Sequence, residues 1–377
     1  MRSEQTQISD NAMKQAMTSV SLFSGAGGLD IGFERAGFKC IWANEFDKDA
    51  AKTWRINRSD DADAMHEGDI SSLLYELESL RGSVDVLFGG PPCQSWSVAG
   101  KMDPNDLRGA MVFRFIDAVR IVQPKIFLME NVKNLATSKR FEQARADIAD
   151  GFYSAGYDMR YKIHIAIDYG VPQRRERVFF IGVRRDFASS IGMTGDNVLD
   201  MIDEAMDARK NEPPLLRDVL KLCGRYGSDE NPQTCTGVIT LTKNPILRPT
   251  CYSGMLTNGC GHPINLDGYA PTLPASMGGN QTPYLDDDWL WNRATSDWFA
   301  GYRQRLIDGT TTPLMEKIPT PRIRRLTLKE AAAIQTFPPD YEFSGAKSKR
   351  YRQIGNAVPC GLAEAAGRAI AKVLLNQ

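Results

Sequence analysis

Residues 19–28 read Ser-Val-Ser-Leu-Phe-Ser-Gly-Ala-Gly-Gly, and this stretch decides the fold. Its first half is typical of a short β-strand, and its second half is a glycine-rich turn. Residues 29–36 then carry apolar side chains at helical spacing, and Gly37 marks the end of that helix. Residues 38–43 form a second apolar run that ends just before Glu45. The order of strand, glycine turn, helix and strand predicts a nucleoside-binding α/β unit.

The alternation of strands and helices continues beyond this unit. Short apolar runs at 84–88 and 126–129 are each followed at once by polar or glycine-rich residues, and a helical pattern at 111–122 separates them. A capping-box spacing at 327–330 and apolar periodicity at 362–375 predict helices near the end of the chain. We therefore predict a doubly wound, Rossmann-like α/β domain with its functional groups where the strands end.

The composition changes in the middle of the chain. Residues 224–320 are rich in glycine, proline, asparagine and threonine and show little helical periodicity. This composition predicts a smaller, loop-rich, mainly β domain inserted between two parts of the α/β domain, 18–223 and 321–377. We expect residues 1–17 to form a disordered arm.

The charge of the chain limits how it can bind other molecules. Its 377 residues include 46 Lys+Arg and 46 Asp+Glu, so any surface for nucleic acid must be local. The basic clusters at 322–325 and 347–352 are candidates for phosphate contact, whereas we expect the acidic run at 286–288 to face away. Seven cysteines at irregular spacing predict neither a disulfide scaffold nor a metal site.

Two acids follow the glycine turn at positions suited to a nucleoside. Glu45 ends the second strand and is placed to accept hydrogen bonds from ribose hydroxyls, and Asp69 is placed to accept from an adenine amino group. Asp30 stands where a dinucleotide fingerprint has glycine or alanine. A carboxylate there would repel a pyrophosphate but would be tolerated near the amino-acid part of S-adenosylmethionine.

A thiol follows another buried strand in a stiff turn. Residues 88–94 read Phe-Gly-Gly-Pro-Pro-Cys-Gln, and the two prolines fix the backbone that presents Cys93. Glu130 ends the next strand, so the two groups should lie side by side at one edge of a parallel sheet. Residues 95–108 lack periodicity and predict a mobile loop beside the thiol. A nucleophile and an acid at adjacent strand ends indicate an active pair.

Six motifs in this order resemble those of the DNA (cytosine-5)-methyltransferases, and the likeness covers residues 19–183 and 322–375. They are Phe-Ser-Gly-Ala-Gly-Gly at 23–28, Pro-Pro-Cys-Gln at 91–94, Glu-Asn-Val at 130–132, Gln-Arg-Arg-Glu-Arg at 173–177, the Arg-Leu-Thr to Phe-Pro block at 325–338, and Gln-Ile-Gly-Asn-Ala-Val-Pro at 353–359.

The resemblance implies a catalytic set and an activity. Cys93 would add to C6 of cytosine, which makes C5 nucleophilic enough to accept a methyl group. Glu130 would contact N3 and the exocyclic amine, and Arg177, with Arg175 beside it, would bind O2. Because the base is buried in a duplex, it must be flipped out for this chemistry.

The resemblance also implies the binding residues. Residues 224–320 would be the target-recognition domain for double-stranded DNA. The residues expected to hold S-adenosylmethionine are Phe23, Gly25, Ala26, Gly27, Gly28, Glu45, Phe46, Asp69, Ile70, Gly90, Pro92, Asn356 and Ala357. Those expected to contact DNA are Gln94, Ser97, Arg108, Gln173, Thr272 and Leu273.

Three other interpretations remain open at this point. An RNA cytosine-5 methyltransferase would keep the same catalytic residues, although a long recognition insert favours duplex DNA. A nicotinamide-dependent oxidoreductase explains the glycine turn but leaves Cys93 and Glu130 without a role. A non-catalytic DNA-binding subunit has little reason to keep both. We expect a monomeric, cytoplasmic, nucleoid-associated prokaryotic enzyme that modifies the site of a partner restriction endonuclease.

Overall fold

The strands of the protein are short, and most belong to one sheet. A computed structural model describes residues 16–92, 110–259, 261–292, 295–314 and 317–375. The strands in these ranges are β1 (Met17–Leu22), β2 (Phe38–Glu45), β3 (Met65–Glu67), β4 (Val86–Gly89), β5 (Ile126–Val132), β6 (Tyr157–Ile165), β7 (Gln173–Arg174), β8 (Glu176–Arg184), β9 (Ala270–Pro271), β10 (Tyr284–Asp286) and β11 (Ile323–Arg325).

The helices alternate with these strands, and the predicted capping box at Thr327 and Glu330 is present. In the described ranges no helix is long and apolar enough to span a bilayer. The α-helices are α1 (Gly28–Arg35), α2 (Lys48–Ile56), α3 (Ile70–Leu73), α4 (Ala110–Val122), α5 (Lys133–Thr137), α6 (Glu142–Ser154), α7 (Arg185–Ser190), α8 (Gly195–Asp207), α9 (Leu216–Leu222), α10 (Asp287–Trp291), α11 (Trp298–Ile307), α12 (Leu328–Ile334), α13 (Lys347–Asn356) and α14 (Cys360–Leu375).

The central sheet has seven strands in the order β3-β2-β1-β4-β5-β8-β6. The first five are parallel to one another, and β8 is antiparallel to both of its neighbours. Strand order reverses at β1, with β2 on one side and β4 on the other, and open α/β sheets bind ligands at such a switch point. The prediction of a doubly wound, Rossmann-like sheet is confirmed.

Both faces of the sheet are buried, and β5 shows how its sequence achieves this. Leu128 packs into one core, whereas Phe127 and Met129 pack into the other, because successive side chains point to opposite faces. Gly182 of β8 pairs with Phe127, whose ring stacks on Phe152 with centroids 4.0 Å apart. A Cβ at Gly182 would overlap that ring, so the bulk of Phe127 requires glycine opposite it.

The first and last helices pack together through small residues. Gly32 of α1 lies against Ala363 of α14, and a Cβ on Gly32 would overlap both Ala363 and the backbone of Glu364. A Cβ on Gly28 would come 2.5 Å from the carbonyl oxygen of Val358. This contact closes the α/β domain and brings Ala357 and Val358 beside the glycine turn.

The inserted region is rich in loops, and its strands are shorter than a mainly β prediction implies. In the described part of 224–320, strand pairing is limited to β9, β10 and isolated bridges, and α10 and α11 are helical. Leu241, Tyr284 and Phe299 belong to an apolar cluster within the region. Near the N-terminus, β1 begins at Met17, which is the last residue of the arm predicted at 1–17.

Candidate active site

One edge of the sheet gathers the predicted functional groups. Leu22 pairs with both Asn44 and Gly89, so the turns that follow β1, β2 and β4 lie side by side. β5 ends next to them, and the antiparallel β8 begins there, because Val132 pairs with Arg177. Groups from distant parts of the sequence therefore meet at the carboxyl end of the parallel strands.

The glycine turn adopts a backbone that requires glycine. Gly25 and Gly27 have φ angles of +56° and +81°, and Gly27 caps α1. Phe23 also has a positive φ, +54°, which is costly for a non-glycine residue and is often found at ligand sites. Among the described residues, and apart from its two chain neighbours, no atom lies within 4 Å of where a Cβ of Gly25 would be, so the turn leaves open space beside its backbone.

Glu45 is held against this turn. One carboxylate oxygen accepts a hydrogen bond from the Gly25 amide at 2.8 Å, and the other accepts from the Asp47 amide at 2.7 Å. Burial raises the pKa of the Glu45 carboxyl, whereas these two amide hydrogen bonds lower it. The bonds fix the carboxylate and leave it lone pairs for a further donor.

The surroundings of the turn fit a nucleoside cofactor. The ring of Phe46 is 74% exposed beside Glu45, so it is available to stack on a base. Asp69 is exposed and caps α3 through the Ser71 amide at 2.8 Å, while Ile70 is buried. Asn356 is exposed at the end of α13. The open turn, the fixed carboxylate and the exposed ring could hold a nucleoside cofactor.

Asp30 does not lie near the cofactor side of the glycine turn, where the sequence pattern led us to expect it. Asp30 lies on the buried side of α1, and its carboxylate accepts a hydrogen bond from the Trp54 indole at 2.8 Å. Burial raises the pKa of this carboxyl. Asp30 therefore ties α1 to α2 and does not face the cofactor side of the turn.

Glu130 and Arg177 form the ion pair at the centre of the edge. The Arg177 Nε atom lies 2.7 Å from a carboxylate oxygen of Glu130, and the two side chains are 13% and 12% exposed. Burial raises the pKa of the Glu130 carboxyl, while the positive charges of Arg177 and Arg175 lower it. A buried carboxyl with a raised pKa can exist in the protonated form and donate a proton or a hydrogen bond.

The turn after β4 lies against this pair. A Cβ at Gly90 would be 2.8 Å from a carboxylate oxygen of Glu130, so glycine allows the backbone to approach it closely. The Asn131 side-chain amide donates to the Pro91 carbonyl at 3.3 Å and holds the turn on β5. The chain that leads to position 93 thus runs beside the Glu130 carboxylate. Four predicted site residues, Cys93, Gln94, Ser97 and Arg108, lie outside the described residues.

Two predicted DNA contacts and one predicted catalytic residue are placed differently from expectation. Gln173 and Leu273 are completely buried, so neither side chain can contact DNA in this structure. Arg175 is 1% exposed, and its guanidinium donates to the carbonyl oxygens of Leu273 and Gly355. Arg175 therefore supports the site by binding backbone carbonyls of neighbouring segments, whereas Arg177 contacts Glu130 directly. Thr272 is exposed, and its hydroxyl donates to the Arg174 carbonyl at 3.0 Å.

The basic cluster at 322–325 also differs from expectation. Arg322 pairs with Asp286, and Arg324 pairs with Asp287 at 2.7 Å and with Glu330 at 2.8 Å. The acidic run that we expected to face away therefore neutralises these arginines because β10 and β11 lie antiparallel. This cluster stabilises the inserted region and is not available for phosphate.

Sequence reasoning missed the buried polar groups that support the edge. The hydroxyl of Tyr341 donates to the Ala26 carbonyl of the glycine turn and accepts from Arg58 at 3.1 Å. Gln335 is completely buried and hydrogen-bonded to Gln173 at 3.0 Å. Tyr341 and Arg58 lie outside every motif. Gln335 lies within one, but the spacing of the motif carried no signal for its contacts.

The fold has solved relatives. The Entamoeba histolytica methyltransferase EhMeth superposes with a TM-score of 0.63 at 16% sequence identity, and the match covers 96% of this chain and 99% of that one. The Schizosaccharomyces pombe Dnmt2 methyltransferase superposes with a TM-score of 0.60 at 16% identity, over 96% and 99% of the chains. These likenesses show that the chain shares the Rossmann-like fold of the two proteins.

The sequence comparisons identify the family. The family of C-5 cytosine-specific DNA methylases matches residues 17–372. The chain is 33% identical to the type II methyltransferase M.FnuDI of Fusobacterium nucleatum, over 96% of both proteins. It is 34% identical to the type II methyltransferase M.Eco47II of Escherichia coli, over 98% of this chain and 82% of that protein. The chain belongs to the C-5 cytosine-specific DNA methylase family and is a DNA cytosine-5 methyltransferase.

Proposed function

We propose that the protein methylates C5 of a cytosine within a specific sequence of double-stranded DNA, using S-adenosylmethionine. The observation that carries this proposal is the buried Glu130–Arg177 pair, which lies beside the Gly90 turn and close to the glycine turn. Glu130 can donate to the base while Arg177 neutralises negative charge. The chain leads directly from the Gly90 turn to Cys93.

The reaction follows from these groups. The target cytosine is flipped out of the duplex, and the Cys93 thiolate forms a bond to C6, which places an electron pair at C5. Glu130 in its protonated form donates at N3, so that the negative charge of the adduct is reduced. Arg177 donates to O2 and keeps Glu130 in place. C5 then takes the methyl group, loses its proton to a base, and the C6–S bond breaks to restore the aromatic ring.

The cofactor site is assigned to the same edge. When bound, S-adenosylmethionine supplies a methyl group on a sulfonium sulfur and leaves as S-adenosylhomocysteine. The open backbone at Gly25 would cradle the amino-acid part, and the fixed Glu45 carboxylate would accept hydrogen bonds from the ribose hydroxyls. Phe46 would stack on the adenine, and Asn356 would complete the site from the chain that precedes α14.

Recognition of the DNA sequence is assigned to residues 224–320, with catalysis in 18–223 and 321–377. The inserted region has an apolar cluster of its own, and it also shares a core with the α/β domain through residues such as Leu273 and Ala26. Exposed Thr272 is the described residue that we assign to the DNA backbone at the junction of the two parts.

The biological role that we propose is modification in a restriction-modification system. Support comes from the similarity of the chain to type II methyltransferases. In this role a cognate endonuclease cuts the same sequence when it is unmethylated, without any need to touch this protein. We propose that the enzyme acts as a monomer in the prokaryotic cytoplasm and associates with the nucleoid.

The test is transfer of labelled methyl groups from S-adenosylmethionine to mixed-sequence duplex DNA, followed by bisulfite sequencing. We expect label in DNA with the intact protein and none with Cys93→Ser. Cys235→Ser is the matched control, because Cys235 is half-buried and hydrogen-bonded within the inserted region. Label that enters transfer RNA and not DNA would support the RNA interpretation. Labelling of DNA by Cys93→Ser at the level of the Cys235→Ser control would refute the role of Cys93.

A further inference from the structure

Three completely buried polar side chains lie between the inserted region and the cofactor edge. Gln173 and Gln335 are 0% exposed and Arg175 is 1% exposed. They come from two sequence segments more than 150 residues apart, yet they converge on one place. Buried polar groups of this kind are costly unless each has a hydrogen-bond partner.

The two glutamines form a directed chain of hydrogen bonds. The Leu273 amide donates to the side-chain oxygen of Gln173 at 3.1 Å. The Gln173 side-chain nitrogen donates to the oxygen of Gln335 at 3.0 Å. Gln335 in turn donates to the carbonyl oxygens of Ile354 at 2.7 Å and Ala357 at 3.3 Å. We call these two side chains the glutamine relay.

Arg175 runs parallel to the glutamine relay. Its guanidinium donates to the Leu273 carbonyl at 3.1 Å and to the carbonyls of Gly355 at 2.9 Å and Asn356 at 3.4 Å. Both polar groups of the Leu273 backbone therefore connect to residues 354–357, the end of α13 with its C-cap Ala357, which we call the 354–357 turn. The backbones also touch, since a Cβ at Gly355 would lie 2.8 Å from the Cα of Ala275.

The two side-chain amides of the relay have a single orientation. A buried amide cannot exchange its nitrogen and oxygen without losing both of its hydrogen bonds. A shift of Leu273 therefore displaces Gln173, Gln335 and the 354–357 turn together, or it breaks bonds that are expensive to leave unmade. At one end of the relay, Leu273 is adjacent to Thr272, which is exposed. At the other end, the 354–357 turn contains Asn356, which is also exposed.

We propose that Gln173 is a positioning residue that couples DNA engagement at Thr272 to cofactor binding at Asn356. This inference rests on the proposed function, which assigns those two exposed residues to DNA and to cofactor. Because coupling of binding free energies is reciprocal, cofactor must strengthen DNA binding by the same factor by which DNA strengthens cofactor binding, and we expect bound cofactor to order the 272–273 segment. The relay thus makes each ligand favour the binding of the other.

The experiment is amide hydrogen exchange with the full chain, in the absence and presence of saturating S-adenosylhomocysteine. In the wild-type protein we expect the ligand to slow exchange at least threefold in two peptides, one covering residues 23–28 and the other covering 270–276. In Gln173→Met the slowing at 23–28 is retained, and the slowing at 270–276 is lost. Gln335→Met removes the next member of the relay and gives the same result.

The matched control is Gln353→Met. Gln353 is also a buried amide near the turn, but it bonds to Thr53 at 2.6 Å and to the Ser344 carbonyl at 3.0 Å, outside the relay. We expect this variant to keep the slowing in both peptides. A role limited to folding would lower the protection of all regions in each of the three variants alike.

The outcomes separate the two proposals. Slowing at 23–28 without slowing at 270–276 in the wild-type protein overturns the coupling but leaves the cofactor site intact. Slowing at 270–276 that persists in Gln173→Met and Gln335→Met also overturns the coupling. Absence of slowing at 23–28 in the wild-type protein overturns the assigned cofactor site, and the coupling with it.

Discussion

Replacement of Arg177 by methionine should destabilise the protein in a manner that depends on pH. Methionine keeps an unbranched apolar stem, but Glu130 loses the positive charge 2.7 Å from its carboxylate. Burial already raises the pKa of Glu130 above its ordinary value of 4.5, and Arg177 is the largest influence that lowers it. The variant should therefore hold the Glu130 proton to a higher pH than the wild-type protein does.

The size of the effect follows from the geometry. Two unit charges about 4 Å apart attract by roughly 4 kcal/mol at an effective dielectric constant near 20. Because the two side chains keep 13% and 12% exposure, we expect a loss of about 3 kcal/mol, at the lower end for a broken buried pair. That loss corresponds to a higher pKa of the Glu130 carboxyl in the variant than in the wild-type protein.

The sign of the pH dependence is fixed by the raised pKa. A folded state that binds the Glu130 proton more tightly than the unfolded state loses stability as pH rises from the ordinary pKa to the folded one. The variant has the higher folded pKa, so its deficit relative to wild type is small near pH 5 and grows toward pH 8. At the alkaline end it should reach about 3 kcal/mol.

The measurement is urea unfolding followed by tryptophan fluorescence at pH values from 5 to 8. The control is the same replacement in a Glu130→Gln background, and the deficit of the double variant relative to Glu130→Gln alone should not vary with pH because both proteins lack the titrating group. A deficit of Arg177→Met that is constant across this range would refute the reasoning. It would mean that the charge of Glu130 is screened by solvent and not by Arg177.

Three further predictions concern glycines and the cofactor acid. Gly32→Ala should lower the free energy of unfolding by about 1–3 kcal/mol, because the added methyl group overlaps α14. The control Gly301→Ala lies in a helix with room for the methyl group and should raise the free energy of unfolding by up to about 1 kcal/mol. Thermal unfolding of the two variants measures the difference. Gly90→Ala should displace the Glu130 carboxylate and reduce methyl transfer at least tenfold, with little change in melting temperature. Glu45→Gln should weaken S-adenosylhomocysteine binding about tenfold in calorimetry, because a neutral amide accepts hydroxyls less strongly; unchanged affinity would remove Glu45 from the cofactor site.

The parts of the site that depend on local order could be predicted from the sequence. The glycine turn and Glu45 are each attached to the end of one strand, and the parallel sheet brings strand ends together. The same logic placed Glu130 beside the turn that leads to Cys93. The capping box at Thr327 was also visible, because its spacing within one helical turn determines its geometry.

The parts that depend on distant partners could not be predicted. Asp30 meets Trp54 because α1 and α2 pack together, and no spacing shows that contact. The burial of Gln173 and Leu273 results from the inserted region folding onto the α/β domain 100 residues away. Nor did the apolar pattern of β8 show its direction, because a strand buried on both faces looks the same either way. Its antiparallel course is what brings Arg177 to the edge.

Gly182 has a consequence for how this enzyme can be inactivated. Both faces of β8 are apolar, so a slip by one residue would still bury hydrophobic side chains, and the hydrophobic pattern alone fixes its alignment weakly. The ring of Phe127 excludes any larger residue from the position of Gly182 and so acts as a key for the alignment. Arg177 lies five residues away, about 17 Å along the strand. A side chain at position 182 would therefore move Arg177 away from Glu130. Catalysis would then be lost through a change at a residue that touches neither DNA nor cofactor.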